Sequence, residues 1–123
     1  MIRLAATADI HAGIDSIGGI GPSFQGIEER ADALLLAGDL TKAGLPEEAD
    51  VLAEELGGIK IPVIAVLGNH DYHSDAQTEI TRRLQGAGIT VLEGSSCTIG
   101  ARGTTVGVAV GGGIVIAYRI QCG

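Results

Sequence analysis

Residues 61–72 read IPVIAVLGNHDY, and this stretch decides how the rest of the chain is interpreted. It begins with a run of small and β-branched apolar residues, which predicts a buried strand. A glycine then introduces an amide, an imidazole and a carboxylate at Asn69, His70 and Asp71. Open α/β sheets bind ligands at the carboxyl ends of their strands, so we predict that these polar groups belong to a binding site.

Two earlier stretches have the same apolar form, IRLAATA (2–8) and ADALLLA (31–37), and each predicts another buried strand. The sequence LPEEADVLAEELGG (45–58) predicts a helix, because Pro46 suits its first turn, acidic residues follow, and two glycines close it. The alternation of strands and helices predicts an α/β fold with a mostly parallel sheet and covering helices.

Two further helices are predicted, one from Ser23 to Arg30 and one over SDAQTEITRRLQGAG (74–88), with Ser74 as the N-cap of the second. After Gly88 the pattern changes. The stretches ITVLEG, SCTIGARG and TTVGVAV predict short strands with turns between them. We interpret them as a strand followed by antiparallel hairpins, which form an antiparallel edge of the sheet.

The composition narrows the class of partner. The 123-residue chain has a net charge of −7, three aromatic residues and one adjacent basic pair, at 82–83. Nucleic-acid-binding proteins normally have a basic surface, and those that bind single strands add stacking aromatic residues. The sequence therefore argues against a nucleic-acid partner.

The sequence also bears on where the protein is found. Asp9 comes too early for a signal peptide, and the longest apolar stretch, residues 106–118, is too short and too rich in glycine for a membrane span. Cys97 and Cys122 form no metal-binding pattern and are interpreted as reduced thiols. We expect a cytoplasmic protein with no membrane partner.

Ligand-type residues follow each of the three predicted parallel strands: Asp9 and His11 after the first, Asp39 after the second, and Asn69 and His70 after the third. Taken singly, each group has a structural alternative, because a carboxylate after a strand commonly caps a helix or turn and Gly-Asn-His-Asp is an acceptable turn. Their occurrence at three strand ends favours a shared site. Asp9 and His11 lie two residues apart, so in extended chain they face the same side and can share one ion.

Carboxylates, an imidazole and an amide oxygen suit Mn²⁺, Fe or Zn²⁺. Two such ions ~3.5–4 Å apart can clamp a phosphoryl group and activate a water. Asp39, on the strand between the others, is placed to bridge two ions. An acidic protein repels phosphate esters at long range, so bound cations have to supply the attraction for such a substrate.

The motifs DIH (9–11), GDL (38–40) and GNHD (68–71), in this order, resemble those of the calcineurin-like metallophosphoesterase family. The resemblance extends from residue 1 to about residue 110. It implies the calcineurin-like half-fold, two divalent metal ions (Mn, Fe or Zn) and hydrolysis of a small phosphate ester, either a monoester or a diester.

The resemblance also implies roles for individual residues. Asp9 and His11 correspond to the ligands of one metal ion, and Asp39 corresponds to the carboxylate that bridges both ions. Asn69 corresponds to a ligand of the second ion. His70 corresponds to the catalytic histidine that stabilises the transition state or protonates the leaving oxygen.

Family members continue well past this length and supply further histidines, whereas this chain has three histidines, the last at His73. We therefore expect residues 1–123 to be a single but incomplete domain, truncated or frameshifted, with its activity weakened or lost. A missing second β-layer leaves an apolar sheet face that favours self-association. Alternatively, this is a deliberately small metal-binding fold in which Asp71, Asp75 or His73 replaces the missing ligands.

Three functional interpretations remain open. The first is metal-dependent hydrolysis of phosphate esters. The second is a non-catalytic, degenerate metal- or partner-binding domain of the same fold. The third is an unrelated doubly wound domain whose strand-end residues are only caps, and it predicts no metal affinity. Asp15, Asp71 and Asp75 are interpreted as loop or helix-start carboxylates, and His73 as a surface residue.

Overall fold

The structure, a computed structural model, describes residues 3–92, 96–101, 104–111 and 114–120. Its first sheet contains four parallel strands in the order β1-β2-β3-β4. Each strand lies beside the next one in the chain. Because all four are parallel, their carboxyl ends lie at the same edge of the sheet. The predicted parallel α/β sheet is thus confirmed. The strands are Leu4–Thr7 (β1), Ala33–Ala37 (β2), Val63–Val66 (β3) and Thr90–Leu92 (β4).

Helices separate these strands along the chain, as the alternation predicts. Three short 3₁₀ segments lie in the connections between strands: two follow β1, at Ile14–Ser16 and Gly21–Phe24, and one follows β3, at Asn69–Tyr72. The helix predicted from Ser23 to Arg30 is interrupted, because Gly26 adopts a φ of 76° between the second 3₁₀ segment and an α-helix that begins at Ile27. The α-helices are Ile27–Arg30 (α1), Pro46–Glu55 (α2) and Gln77–Gly86 (α3).

The core lies between the middle of the sheet and the helices α2 and α3, which pack against each other. β2 is buried from residue 33 to 36, as its continuous apolar sequence predicts. β1, at the edge of the sheet, contains no buried residue. The largest fully buried apolar side chains are Leu34, Leu36, Leu40, Leu52, Ile80 and Leu84.

The start of α3 differs from the prediction. Ser74 does not cap this helix; its Oγ donates a hydrogen bond of 2.7 Å to the carbonyl oxygen of Ala43. Ala76 occupies the N-cap position and makes no capping hydrogen bond with its side chain. Asp75 lies between the two with a φ of 59°, a left-handed conformation that an α-helix does not accommodate.

The segment after β4 confirms the predicted antiparallel pairing but not its place at an edge of the first sheet. β5 (Ser96–Ala101), β6 (Thr104–Gly111) and β7 (Ile114–Ile120) form a second, antiparallel sheet. β7 was not predicted. The expectation that a second β-layer of the family fold is missing stays a prediction. Only two residues separate consecutive strands in the sequence, and such short connections favour hairpins over pairing with a distant edge.

No helix among the described residues is long and apolar enough to cross a membrane. The assignment of the whole chain to one domain stays a prediction. Self-association through an exposed sheet face also stays a prediction.

Candidate metal centre

Backbone hydrogen bonds hold the loops after β1 and β2 side by side. The N–H of Asp9 donates to the carbonyl oxygen of Gly38 at 3.2 Å, and the N–H of His11 donates to that of Asp39 at 3.1 Å. These bonds continue the interaction of β1 with β2 beyond the strand ends. They place the DIH motif directly beside Gly38 and Asp39.

The backbone at these strand ends adopts an uncommon conformation. Among the described residues, the non-glycine residues with positive φ are Asp9 (55°), His11 (51°), Asp39 (49°) and Asp75 (59°). Such a conformation costs on the order of 1–2 kcal/mol for a residue with a side chain. Three of the four residues are predicted metal ligands, and strained backbone of this kind concentrates at functional sites.

The loop after β3 approaches Asp39 closely at Gly68, the second residue after the strand. A Cβ atom at position 68 would lie 2.5 Å from Oδ1 of Asp39 and would also overlap its backbone nitrogen. The backbone N–H of His70 donates a hydrogen bond of 2.9 Å to the same Oδ1. Glycine at position 68 therefore allows the third loop to orient a carboxylate carried by the second.

Three of the predicted site residues form a group of metal-ligand type. Ligand atoms of His11, Asp39 and His70 lie within 4.8 Å of one another. The two imidazole rings stack with centroids 4.7 Å apart and an angle of 10° between their planes. Asp9 lies next to this group, and its Oδ1 is 3.9 Å from Nε2 of His11.

One ring nitrogen of this group is buried and unsatisfied. Nε2 of His11 has no hydrogen-bond partner among the described residues. A buried polar atom without a partner is costly, and native proteins generally satisfy such atoms. A cation held by His11 and Asp39 would satisfy it, and imidazole with carboxylate is a suitable donor set for a divalent transition metal. The residues present therefore fit a divalent metal ion.

A backbone carbonyl selects the tautomer of His70. Its Nδ1 lies 2.9 Å from the carbonyl oxygen of Lys42, and a carbonyl only accepts hydrogen bonds, so Nδ1 carries the proton. In the neutral ring, Nε2 then has a free lone pair. Histidines that bind metals or transfer protons are commonly oriented in this way by their other nitrogen.

A cleft of about 520 Å³ lies against the same strand ends. Three predicted ligands line it, Asp9, Asp39 and Asn69, and none of its described lining residues is basic. Asp39 is thus the residue common to this cleft and to the group it forms with the two histidines. The structure brings all five predicted site residues to one edge of the sheet.

Asp71 plays a part that the sequence analysis missed. Interpreted there as a loop carboxylate or a replacement ligand, it is fully buried and accepts four hydrogen bonds. Nothing in its type or spacing distinguishes it from an exposed loop aspartate. The other two residues proposed to replace missing ligands, Asp75 and His73, are both exposed. The ring of His73 makes an edge contact with that of His70, with the centroids 6.1 Å apart.

A surface ion pair links two of the loops near the site. Nζ of Lys42 lies 2.7 Å from Oδ2 of Asp15, and both side chains are largely exposed. The hydrogen bond and the charge of Lys42 hold the pKa of the Asp15 carboxyl below its ordinary value. An exposed pair of this kind contributes little to stability, so we assign it no role in the metal centre.

Two known proteins are similar to parts of this chain. The chain is 33% identical over 69 residues to "Glycerophosphodiester phosphodiesterase GpdQ" of Enterobacter lignolyticus (strain SCF1), a match covering 56% of this chain and 24% of the relative. It thus spans about a quarter of the length of that relative. A crystal structure of a protein of unknown function from Aquifex aeolicus aligns with a TM-score of 0.41 and 18% identity, over 85% of this chain and 58% of that one.

A family model decides the assignment. The model described as calcineurin-like phosphoesterase matches residues 2–114, which includes the three motifs and all five predicted site residues. Proteins of this family are metal-dependent and act on phosphate esters. The chain belongs to the calcineurin-like phosphoesterase family.

Proposed function

We propose that this chain hydrolyses phosphate esters at a metal centre formed by the loops after β1, β2 and β3. The observation that carries the proposal is the convergence of His11, Asp39 and His70 within 4.8 Å, with Nε2 of His11 buried and without a partner among the described residues. A role limited to capping or turn formation would leave that nitrogen without a partner among the described residues. Membership in a metal-dependent family supports the same conclusion.

The proposed ligand roles follow the position of each residue. Asp9 and His11 would hold one ion, since their side chains lie next to each other on the first loop. Asp39 would be a ligand of both ions, which is consistent with its place in both the cleft and the histidine group. Asn69, in the lining of the cleft, would be a ligand of the second ion.

Divalent ions bound there would supply the Lewis acidity and the activated water that phosphate ester hydrolysis needs. The chain itself contributes orientation and a proton. His70 keeps one proton on Nδ1, held by the carbonyl oxygen of Lys42, and a second proton on Nε2 would be available to the leaving oxygen. The backbone N–H of His70 meanwhile fixes the carboxylate of Asp39.

A small phosphodiester is the substrate class we propose first. The relative that shares part of this sequence is named as a glycerophosphodiester phosphodiesterase. The cleft, at about 520 Å³, has the size of a small-molecule site. Its described lining contains no basic residue that would bind a long polyanion. Cations in the site would therefore provide the attraction for one phosphate group.

The test begins with metal binding to the 123-residue protein, measured by equilibrium dialysis against Mn²⁺. We expect binding by the wild-type chain and its loss in Asp39→Ala. Hydrolysis of bis(4-nitrophenyl) phosphate by the loaded protein should disappear in the same variant. Metal binding without hydrolysis would favour the non-catalytic alternative, and a folded wild-type chain that binds no metal would overturn the proposal.

The role of His70 needs a separate variant, because its ring lies among the ligand atoms as well as in a position suited to proton transfer. If His70 is catalytic, His70→Ala should bind Mn²⁺ with nearly the wild-type dissociation constant and lose hydrolysis. If the same variant loses Mn²⁺ binding, His70 is a ligand and the catalytic assignment is wrong.

A further inference from the structure

We propose that Asp71 is a positioning residue that sets the distance between the metal ligands of two different loops. It lies outside the proposed ligand set and outside the proposed chemistry. The inference rests on the proposed function, because its consequence is measured on metal binding. It starts from the hydrogen bonds of one buried side chain.

The carboxylate of Asp71 receives donors from both loops. Oδ1 accepts from the backbone N–H of Thr41 at 2.8 Å and from Oγ1 of the same residue at 2.6 Å. Oδ2 accepts from the backbone N–H of Leu40 at 3.0 Å and from that of Gly68 at 2.8 Å. A single side chain thus joins the loop after β2 to the loop after β3.

The donors lie next to the ligands in the chain. Leu40 directly follows Asp39, and Gly68 directly precedes Asn69. Movement of either donor would carry a proposed ligand with it. The four hydrogen bonds of Asp71 therefore restrict how far Asp39 can move relative to Asn69 and His70.

A carboxylate suits this position better than a neutral side chain. All four partners donate, and an ionised carboxylate is the side chain that offers only acceptors. An amide at position 71 would turn one NH₂ group toward two of the donors and leave them unsatisfied in a site with no solvent exposure. The same burial and the same four bonds keep Asp71 from acting as a metal ligand itself.

The test compares Asp71→Asn with a variant that loses stability for an unrelated reason. Leu84→Ala removes a fully buried side chain of α3, outside the site, and serves as that control. The dissociation constant for Mn²⁺ is measured by equilibrium dialysis on each 123-residue protein, at a temperature where circular dichroism shows it folded. The visible spectrum of the Co²⁺-loaded protein reports the coordination geometry.

We expect Asp71→Asn to raise the Mn²⁺ dissociation constant by about 10–100-fold, the range typical for loss of a group that orients metal ligands. Its Co²⁺ spectrum should also differ from that of the wild type. Leu84→Ala should keep the wild-type spectrum and affinity, because it destabilises the fold without touching either loop. Should Asp71→Asn fail to fold, Thr41→Val removes one of the four donors and should raise the dissociation constant in the same direction, by less.

The outcomes separate this inference from the proposed function. If wild-type protein binds Mn²⁺, Asp39→Ala abolishes that binding, and Asp71→Asn matches the wild type in affinity and spectrum, only the positioning role is overturned. A shift of equal size in Leu84→Ala would also overturn it, since loss of stability would then explain the effect. If the folded wild type binds no Mn²⁺, the proposed function and the positioning role both fail.

Discussion

The backbone N–H of His70 donates a hydrogen bond of 2.9 Å to Oδ1 of Asp39, so one loop orients the carboxylate of another. The two residues lie 31 positions apart in the chain. Oδ1 of Asp39 thus has a structural partner in addition to the metal ions proposed for this carboxylate. Substitutions can separate these two contributions.

Asp39→Asn should abolish metal binding while leaving the fold nearly intact. The amide oxygen still accepts from the N–H of His70, but the negative charge is gone. We expect the Mn²⁺ dissociation constant to rise by more than about 100-fold, beyond the usual effect of losing an outer-shell partner. The free energy of unfolding in urea should stay within about 0.5 kcal/mol of the wild type. The control is Asp50→Asn, which changes an exposed carboxylate on α2. If Asp39→Asn bound Mn²⁺ with the affinity of the wild type, the prediction would be contradicted.

Gly68→Ala should damage both the site and the fold. The added Cβ overlaps the backbone nitrogen of Asp39 and presses on its Oδ1, and overpacking of this kind costs about 1–3 kcal/mol of unfolding free energy. Metal affinity should fall with it. Gly86→Ala is the matched control, because a Cβ at this helical position meets nothing within 4 Å. For Gly86→Ala we expect no loss of unfolding free energy and a gain of up to about 1 kcal/mol. Urea denaturation measures the free energy of unfolding of both variants. If the two loops could move apart freely, Gly68→Ala would be no less stable than Gly86→Ala.

Thr41→Val should destabilise the protein by about 1–3 kcal/mol although it preserves the shape of the side chain. The hydroxyl of Thr41 donates to Oδ1 of Asp71 and accepts from the backbone N–H of Gly44 at 3.0 Å, and all three residues are buried. Valine leaves that N–H without its acceptor. Thr41→Ser keeps the hydroxyl and should retain most of the stability. Equal denaturation midpoints for the valine and serine variants would show that the hydroxyl contributes nothing.

Glu55→Gln should make stability less dependent on pH in the acidic range. Hydrogen bonds from the backbone N–H groups of Gly21 and Ile20 hold the pKa of the Glu55 carboxyl below its ordinary value of 4.5. A lowered pKa in the folded state adds stability above pH 4.5, and this stability is lost as the pH falls through the folded-state pKa. The glutamine variant should therefore be less stable than wild type near neutrality and approach it in acid.

Urea denaturation at several pH values measures that difference for Glu55→Gln. Glu54, an exposed neighbour on the same helix, provides the control, because Glu54→Gln removes the same charge without touching the contacts of Glu55 with Ile20 and Gly21. A constant gap between wild type and Glu55→Gln at every pH would mean that ionisation of Glu55 is not the cause.

Much of the site follows from sequence reasoning about three loops. Apolar runs bounded by polar residues predict parallel strands, and the carboxyl ends of parallel strands meet at one edge. This alone brings Asp9, Asp39 and Asn69 toward a common cleft, as observed. The start of α3 was predicted less well, because Ser74 has the residue type of an N-cap but donates its hydrogen bond to Ala43 instead.

The amino-acid sequence by itself determined the parallel sheet and the residue types that converge at its carboxyl edge, because hydrophobic pattern and local turn signals are encoded in short stretches. Only the tertiary structure decided that Asp71 is buried among donors 30 and 31 residues away, and that the last three strands form their own sheet. Those features depend on contacts between backbone groups that are distant in the chain. No local pattern specifies such contacts, since the sequence around a loop carboxylate is of the same kind whether water or four N–H and O–H donors surround it.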